Sequence, residues 1–228
     1  MVFLQDTLRG KMNKHGIMVA DEGQKSHQAQ KSDRMKRDIV LAAIKCLHEK
    51  GYHSASIKKI AEASSFSQGA LQHHFKTKED LMVFVAERVL DKSLRLTLEW
   101  ISENTGRPLK ISELMRDWWA NQMHSPEFIA LLEILVAART EESLRSKIAP
   151  SIDVYAERTE EVISDYLKVC NTSIVSIDLI LTASRSMMSG FVMLDAMFRT
   201  DEEIQLYINK WATMLDLIAD NPADKLPN

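Results

Sequence analysis

Apolar residues recur at helical rather than alternating spacing along nearly the whole chain. Ile39, Ala42, Ala43, Cys46 and Leu47 fall at i, i+3, i+4, i+7 and i+8, the stripe of an amphipathic helix. This predicts a helix over about 33–50 with Gly51 as its stop. Ser56, placed as an N-cap before Ile57, Ile60 and Ala61, predicts a second, short helix, and a third runs from Ser67 to Phe75. Thr77-Lys78-Glu79-Asp80 is a capping-box-like start for a long fourth helix reaching about Ser102. Asn104-Thr105-Gly106-Arg107-Pro108 breaks the pattern. Helices follow at about 109–124, at 126–140 with Ser125 as cap and Pro126 at the first position, and at 141–169 with a bend at Pro150. The last two, 173–198 and 201–219, are divided by the capping box Thr200-Asp201-Glu202-Glu203. Residues 1–32 lack a sustained stripe and read as a flexible arm, with Met12 and Met18 as alternative starts; 221–228 is a tail. The fold class is all-α, with about nine helices.

Composition agrees: Gly and Pro together number only 12 in 228 residues, and alternating β-branched runs are missing. The net charge of −3 argues against a nucleic-acid partner until it is divided along the chain. Residues 1–23 cancel. Residues 24–80 carry 11 Lys+Arg against 6 Asp+Glu and five of the seven His, a net of +5, whereas 81–228 carry 15 against 23, a net of −8. A basic module is fused to an acidic one. Cys46 and Cys170 are too far apart for a metal knuckle or redox pair, and each sits in an apolar helical pattern, as suits a reducing cytosol. No apolar run approaches the roughly 18 residues of a membrane span, and Met1–Leu4 is too short for a signal-peptide core. The expectation is a cytoplasmic protein with no membrane contact.

The basic segment contains the pattern with most chemistry in it. The short helix at 57–63, the turn Ser64-Ser65-Phe66 and the helix at 67–75 have helix-turn-helix proportions, with Ile57, Ile60, Ala61, Phe66, Ala70 and Leu71 placed for the internal contact. The same periodicity is compatible with an ordinary corner between two helices; the +5 charge favours the first reading. In a DNA-reading unit the second helix enters the major groove while flanking Lys and Ser side chains grip phosphates. The outward set here is Ser67, Gln68, Gly69, Gln72 and His73. Glutamine suits bidentate contact with adenine, and a glycine lets the backbone approach the DNA. His73-His74 makes a poor metal site, since neighbours on a helix diverge and no Cys, Asp or Glu lies nearby at ligand spacing. No metal or cofactor is expected.

Ile39-Val-Leu-Ala-Ala-Ile-Lys-Cys-Leu-His-Glu-Lys-Gly51-Tyr52, Ser56-Ile-Lys-Lys-Ile60-Ala61 and Ser67-Gln-Gly69-Ala-Leu71-Gln-His-His74-Phe75-Lys-Thr-Lys78-Glu-Asp-Leu81 resemble the N-terminal domain of TetR-type (TetR/AcrR) transcriptional regulators. The resemblance covers roughly residues 36–85; beyond it only length and helix order are similar. It implies a helix-turn-helix DNA-binding domain at 33–80 and a larger helical ligand-binding and dimerisation domain at 81–220. It further implies a homodimeric repressor that binds a palindromic double-stranded operator and leaves it when a small molecule binds. Gln68, Gly69, Gln72 and His73 would read bases, and Ser56, Lys58, His74 and Lys78 would contact phosphates. Two positions depart from the family pattern: Gln72 replaces the usual tyrosine, and Ser65 stands where the turn usually has glycine.

In the acidic module, Trp100, Met115, Trp118, Trp119, Met123, Phe128, Leu132, Met188 and Phe191 supply a Trp- and Met-rich load that is either core or the lining of an effector pocket; a lining of this kind favours an apolar or aromatic guest. Since the family dimerises through its last two long helices, an isologous four-helix interface is expected to include Ser186, Gly190, Ile208, Trp211, Leu215 and Ile218. The long fourth helix is the lever by which an effector would change the spacing of two recognition helices. Two other classes remain open: a helical interaction protein that has lost DNA reading, which Gln72 alone hints at, and a helical enzyme. For the latter, no P-loop, GxSxG, HExxH, dinucleotide turn or paired Glu-x-x-His is present.

Overall fold

A computed structural model describes residues 11–12, 18–19, 27–104, 110–169, 177–194 and 197–220. These form nine α-helices and one minimal hairpin. Strands β1 (Lys11–Met12) and β2 (Met18–Val19) pair antiparallel, Lys11 with Val19 and Met12 with Met18. The helices are α1 (His27–Ser54), α2 (Ile57–Ala63), α3 (Gln68–His74), α4 (Lys78–Glu103) and α5 (Ile111–Trp118, continued by a π-helical turn over Trp119–Met123). Then come α6 (Pro126–Ala138), α7 (Glu142–Val169), α8 (Ile177–Met193) and α9 (Asp201–Asp220). The all-α reading holds, with the two-residue ladder added within 1–32. The first helix begins at His27, six residues before the expected start, because Gln28, Ala29, Gln30 and Lys31 are good helix formers that display no stripe.

The helix ends follow the local code. Ser56 and Ser67 cap α2 and α3, accepting from Lys59 N (3.3 Å) and Ala70 N (3.2 Å). Ser125 caps α6 through Phe128 N at 3.1 Å. Reciprocal capping boxes open α4 (Thr77 and Asp80, both contacts 3.1 Å) and α9 (Thr200 and Glu203, 2.9 and 3.3 Å). Pro150 lies inside α7. The proposed break at 104–108 lies, beyond Asn104, outside the described residues, as do Cys170 and the tail at 221–228.

Contacts gather the described residues into two compact units. The first draws on Met1–Asp91 and Ala130–Asp153, the second on Lys92–Ile129 and Val154–Asn228. Within the first unit α1 packs on α2 and α2 on α3. Ile39, Leu47, Ile60, Leu71, Leu81 and Met82 have no exposed surface, and each fully buried side chain of this size contributes about 1.5–3 kcal/mol relative to exposure.

In the second unit α5 and α9 pack along each other. Asp216 on α9 accepts from Ser112 N at 2.9 Å, supplying the start of α5 with the acceptor that Lys110, its N-cap, does not provide. Arg116 donates to Asn209 and Thr213, and the Trp211 indole donates to Ser184 Oγ at 2.8 Å, tying α9 to α8. The core of this unit takes Met115, Trp118, Trp119 and Met123 from α5 and its π turn, Ile163 and Tyr166 from α7, Met188 from α8, and Ile208 and Leu215 from α9.

That placement corrects the expected dimer face. Ile208 and Leu215 have no exposed surface within their own chain, so neither is free to meet a partner; α5 packs along α9 within the same unit. Trp211 is half-buried and its indole is committed to Ser184. Ser186 is exposed, Gly190 is half-buried with open space where a Cβ would stand, and the side chain of Ile218 lies outside the described residues. The exposed apolar stripe of α9 is instead Leu206, Met214 and Leu217, with Leu179 exposed on α8. Among the described residues no helix is long and apolar enough to cross a membrane.

Candidate nucleic-acid interface

Two short helices and a serine turn build the site. Ser64 Oγ donates to Ala61 O (3.0 Å) and accepts from Phe66 N (3.2 Å), closing the turn between α2 and α3 through side-chain bonds. Phe75 N then donates to Leu71 O at 2.8 Å and ends α3 after seven residues. One side of this helix is apolar and closed, with Leu71 at zero exposure. The other side carries Gln68, Gly69, Gln72, His73 and His74, all exposed. Gln68 and Gln72 are four apart and therefore share a face. Gly69 has nothing within 4 Å of a notional Cβ, so the space above it is open to a ligand.

The residues assigned to phosphate fall into two groups. Lys58 is exposed, and its partner Glu62 stands at 4.0 Å, a contact that contributes little and is readily exchanged. The Ser56 hydroxyl accepts the α2 cap bond and keeps its proton for an outside acceptor. His74 is exposed, its ring 5.4 Å from that of His73 in an edge-on pair. Lys78 is turned inward: its ammonium donates to Tyr52 O at 2.7 Å and lies 3.8 Å from the Tyr52 ring centroid. Burial pushes the Lys78 pKa down, against the opposing pull of Glu141 and Glu79. The structure thus gives Lys78 a duty inside the unit. Among the described residues, no group of three His, Cys, Asp or Glu is arranged to hold a metal ion.

Lys78 belongs to a polar knot that the sequence did not reveal. Gly51 adopts φ 72°, ψ 171°, and the chain turns there so that Tyr52 N donates to Glu133 Oε2 at 2.9 Å and Tyr52 OH donates to Glu141 Oε2 at 2.8 Å. Burial, followed by the bond to Glu141, raises the Tyr52 pKa above the ordinary phenol range. Two further links tie 130–153 to the start of α4: Lys147 Nζ to Asp80 Oδ1 at 2.6 Å, which holds the Asp80 carboxyl below its usual range, and Ser151 Oγ to Glu87 Oε1 at 2.9 Å. The partners are separated by 64 to 89 positions in the chain, and no local spacing signals them.

Of the residues named as a pocket, Met115, Trp118, Trp119, Met123 and Met188 lie in the core of the second unit, with Trp100, Phe128 and Phe191 packed on it half-buried. Leu132 is buried but falls in the first unit. A polar chain also lies in the second unit: Ser93 Oγ donates to Gln122 Oε1 (2.6 Å) and meets Tyr155 OH (2.9 Å), while Thr97 and Thr159 hydroxyls donate to the carbonyls of Ser93 and Tyr155.

The family model described as "Bacterial regulatory proteins, tetR family" matches residues 39–83. The chain is 30% identical over 112 residues to the HTH-type transcriptional repressor AcnR of Corynebacterium diphtheriae, covering 49% of this chain and 54% of that one. It is 26% identical over 138 residues to the HTH-type transcriptional regulator CymR of Pseudomonas putida, covering 60% of this chain and 66% of that one. The chain therefore spans little more than half the length of the AcnR relatives it matches. Among solved structures, the fatty acid degradation regulator FadR from Bacillus halodurans superposes with a TM-score of 0.61 at 18% identity, over 79% of this chain and 97% of that one. The multidrug binding protein EbrR, complexed with imidazole, gives 0.57 at 20%, over 83% and 97%. With the helix-turn-helix geometry in place, residues 39–83 are similar to the DNA-binding domain of the tetR family of bacterial regulatory proteins, and the fold over most of the chain is that of the solved regulators.

Proposed function

We propose that the chain is a cytoplasmic, DNA-binding transcriptional repressor with no enzymatic activity. It binds a palindromic operator as a homodimer and is released by a small apolar or aromatic effector held in the 81–220 domain. The observation that carries this reading is α3: its inner side is sealed by Leu71 while Gln68, Gly69, Gln72 and His73 are exposed together on a basic segment. Those four read bases. Ser56, Lys58 and His74 grip phosphates, and Lys78 supports them by holding the Tyr52 turn. Two recognition helices fit successive major grooves when they stand about 34–36 Å apart, and an effector that prefers another spacing depletes the binding form. The pairing surface runs along Leu179, Ser186 and Gly190 on α8 and Leu206, Met214 and Leu217 on α9, where apolar side chains are exposed. The relatives named as repressors support this direction of control.

The test is a gel shift with the DNA upstream of the chain's own gene, at stated salt. Retardation that fails with scrambled DNA is expected. Gln72→Ala should cost about 1–3 kcal/mol of discrimination at one base position. Absence of retardation by a folded dimer would overturn the reading.

A further inference from the structure

The Trp118 indole is 95% buried, at 5% relative exposure, and its Nε1 has no hydrogen-bond partner among the described residues. Other polar groups of this unit are paired: Trp211 Nε1 donates to Ser184, and Ser93 Oγ donates to Gln122 and meets Tyr155 OH. A buried donor without an acceptor is costly and uncommon in a native core. The side chains packed in the same cluster include Met115, Met123 and Met188, unbranched groups that repack around a guest. The helix also changes at this residue: the α-helical bonding of α5 ends at Trp118 and a π-helical turn takes over at Trp119–Met123, a local form that recurs at functional sites. No lysine or arginine is among the buried residues described, so this core holds no counter-ion for a carboxylate or phosphate.

We propose that the Trp118 N–H is the orienting donor of the effector site and that it takes a carbonyl oxygen of an uncharged, largely apolar compound. This rests on the reading that the second unit binds an effector, and it narrows the ligand class from apolar or aromatic to carbonyl-bearing. An apolar molecule of the same shape fills the same space but leaves the indole N–H unpaired. Selectivity for the carbonyl therefore resides in this one atom.

The experiment uses the full chain, free of DNA, and two isosteric pairs in which C=CH2 replaces C=O: acetophenone with α-methylstyrene, and benzophenone with 1,1-diphenylethylene. Nitrogen-15 spectra resolve the indole signals of the four tryptophans, and Trp118→Phe identifies the signal of Trp118 by its loss. The expected result is that at least one ketone binds about tenfold more tightly than its hydrocarbon partner. That ketone moves the Trp118 indole proton downfield, and the preference collapses to about twofold or less in Trp118→Phe. Equal binding within both pairs, a preference that survives Trp118→Phe, or a Trp118 signal that neither ketone moves overturns the proposal; the last result assigns the N–H to an ordered water. If Trp118→Phe fails to fold, Trp100→Phe, Trp119→Phe and Trp211→Phe assign the other three signals and leave that of Trp118 by elimination, so the spectra on wild-type protein still decide the question. Failure of the regulator reading is separate, because it shows as absence of operator binding in the gel shift, which the indole measurement does not use.

Discussion

In the first unit the groups suited to recognition, Gln68, Gly69, Gln72 and His73, are exposed, and the apolar side chain among them, Leu71, has no exposed surface. In the second unit Trp118, Gln122 and Tyr155 are buried and Leu206, Met214 and Leu217 are exposed. At α3 the first unit thus keeps its polar groups outside a closed apolar layer, whereas around α5 and α9 the second keeps polar atoms within one and shows apolar side chains to its surroundings. A large polyanion such as DNA is met by the first arrangement, since charge and hydrogen bonds must face it across water. A small apolar guest requires the second, because burial of its surface supplies most of the binding free energy.

The largest effect that tests this division is Leu71→Ala. If α3 is held only by its sealed side, truncating that side chain should destabilise the first unit by about 2–5 kcal/mol and abolish operator binding, although Leu71 touches no base. Denaturant unfolding with a gel shift measures both. A loss of DNA affinity with unchanged stability would mean that the inner side of α3 is not what holds the reader in place.

Gly51→Ala comes next. The backbone there has φ 72°, and a Cβ would stand 3.1 Å from Glu133 Oε2, the atom that accepts from Tyr52 N. The strain should cost about 1–3 kcal/mol, read as a fall in the unfolding midpoint, with the Tyr52 bonds weakened together. An unchanged midpoint would show that the turn relaxes freely and that the knot is not rigid.

These two residues also mark what the sequence makes legible. Leu71 and Gly51 lie in local patterns: an apolar residue at helical spacing and a glycine after a stripe. Ser56, Ser125 and Thr200 were readable as caps for the same reason, because a cap and its target are within three residues. Glu133 and Glu141 were not, since their partner Tyr52 is 81 and 89 positions away and a carboxylate on a helix, or just before one, carries no sign of whom it meets. The α9 stripe failed differently. The helix has apolar residues on two sides, Ile208 and Leu215 on one, Leu206, Met214 and Leu217 on the other, and periodicity does not say which side the chain's own core takes. The π turn at Trp119–Met123 contains neither glycine nor proline and left no signal at all.

The Tyr52 knot has a pH signature. Because the folded-state pKa of Tyr52 is raised, chiefly by burial, its contribution is fully present below the unfolded phenol value of 10.0. It is lost as pH rises beyond that value, where the unfolded chain ionises and the folded one resists. Tyr52→Phe removes the hydrogen bond to Glu141, about 1 kcal/mol at neutral pH, and should flatten the fall in stability above pH 10.0. Unfolding midpoints of both proteins across that range measure it; parallel curves would mean that the phenol is not held neutral.

The smallest effect separates two lysines that sequence alone treats alike. Lys58 is exposed with only a loose partner in Glu62, whereas the Lys78 ammonium is engaged by the Tyr52 carbonyl. A lysine that displaces one counter-ion from DNA contributes about 0.9 to the slope of log K against log salt. Lys58→Ala should reduce that slope by about this much and leave stability within about 0.5 kcal/mol. Lys78→Ala should do the reverse, lowering the unfolding midpoint because the Tyr52 carbonyl loses the stronger of its two donors and keeps only Ala55 N, while changing the salt slope little. If both substitutions reduce the slope equally, the inward course of Lys78 does not persist on DNA. Its ammonium then leaves Tyr52 for a phosphate on binding, and the knot loosens at the moment the operator is gripped.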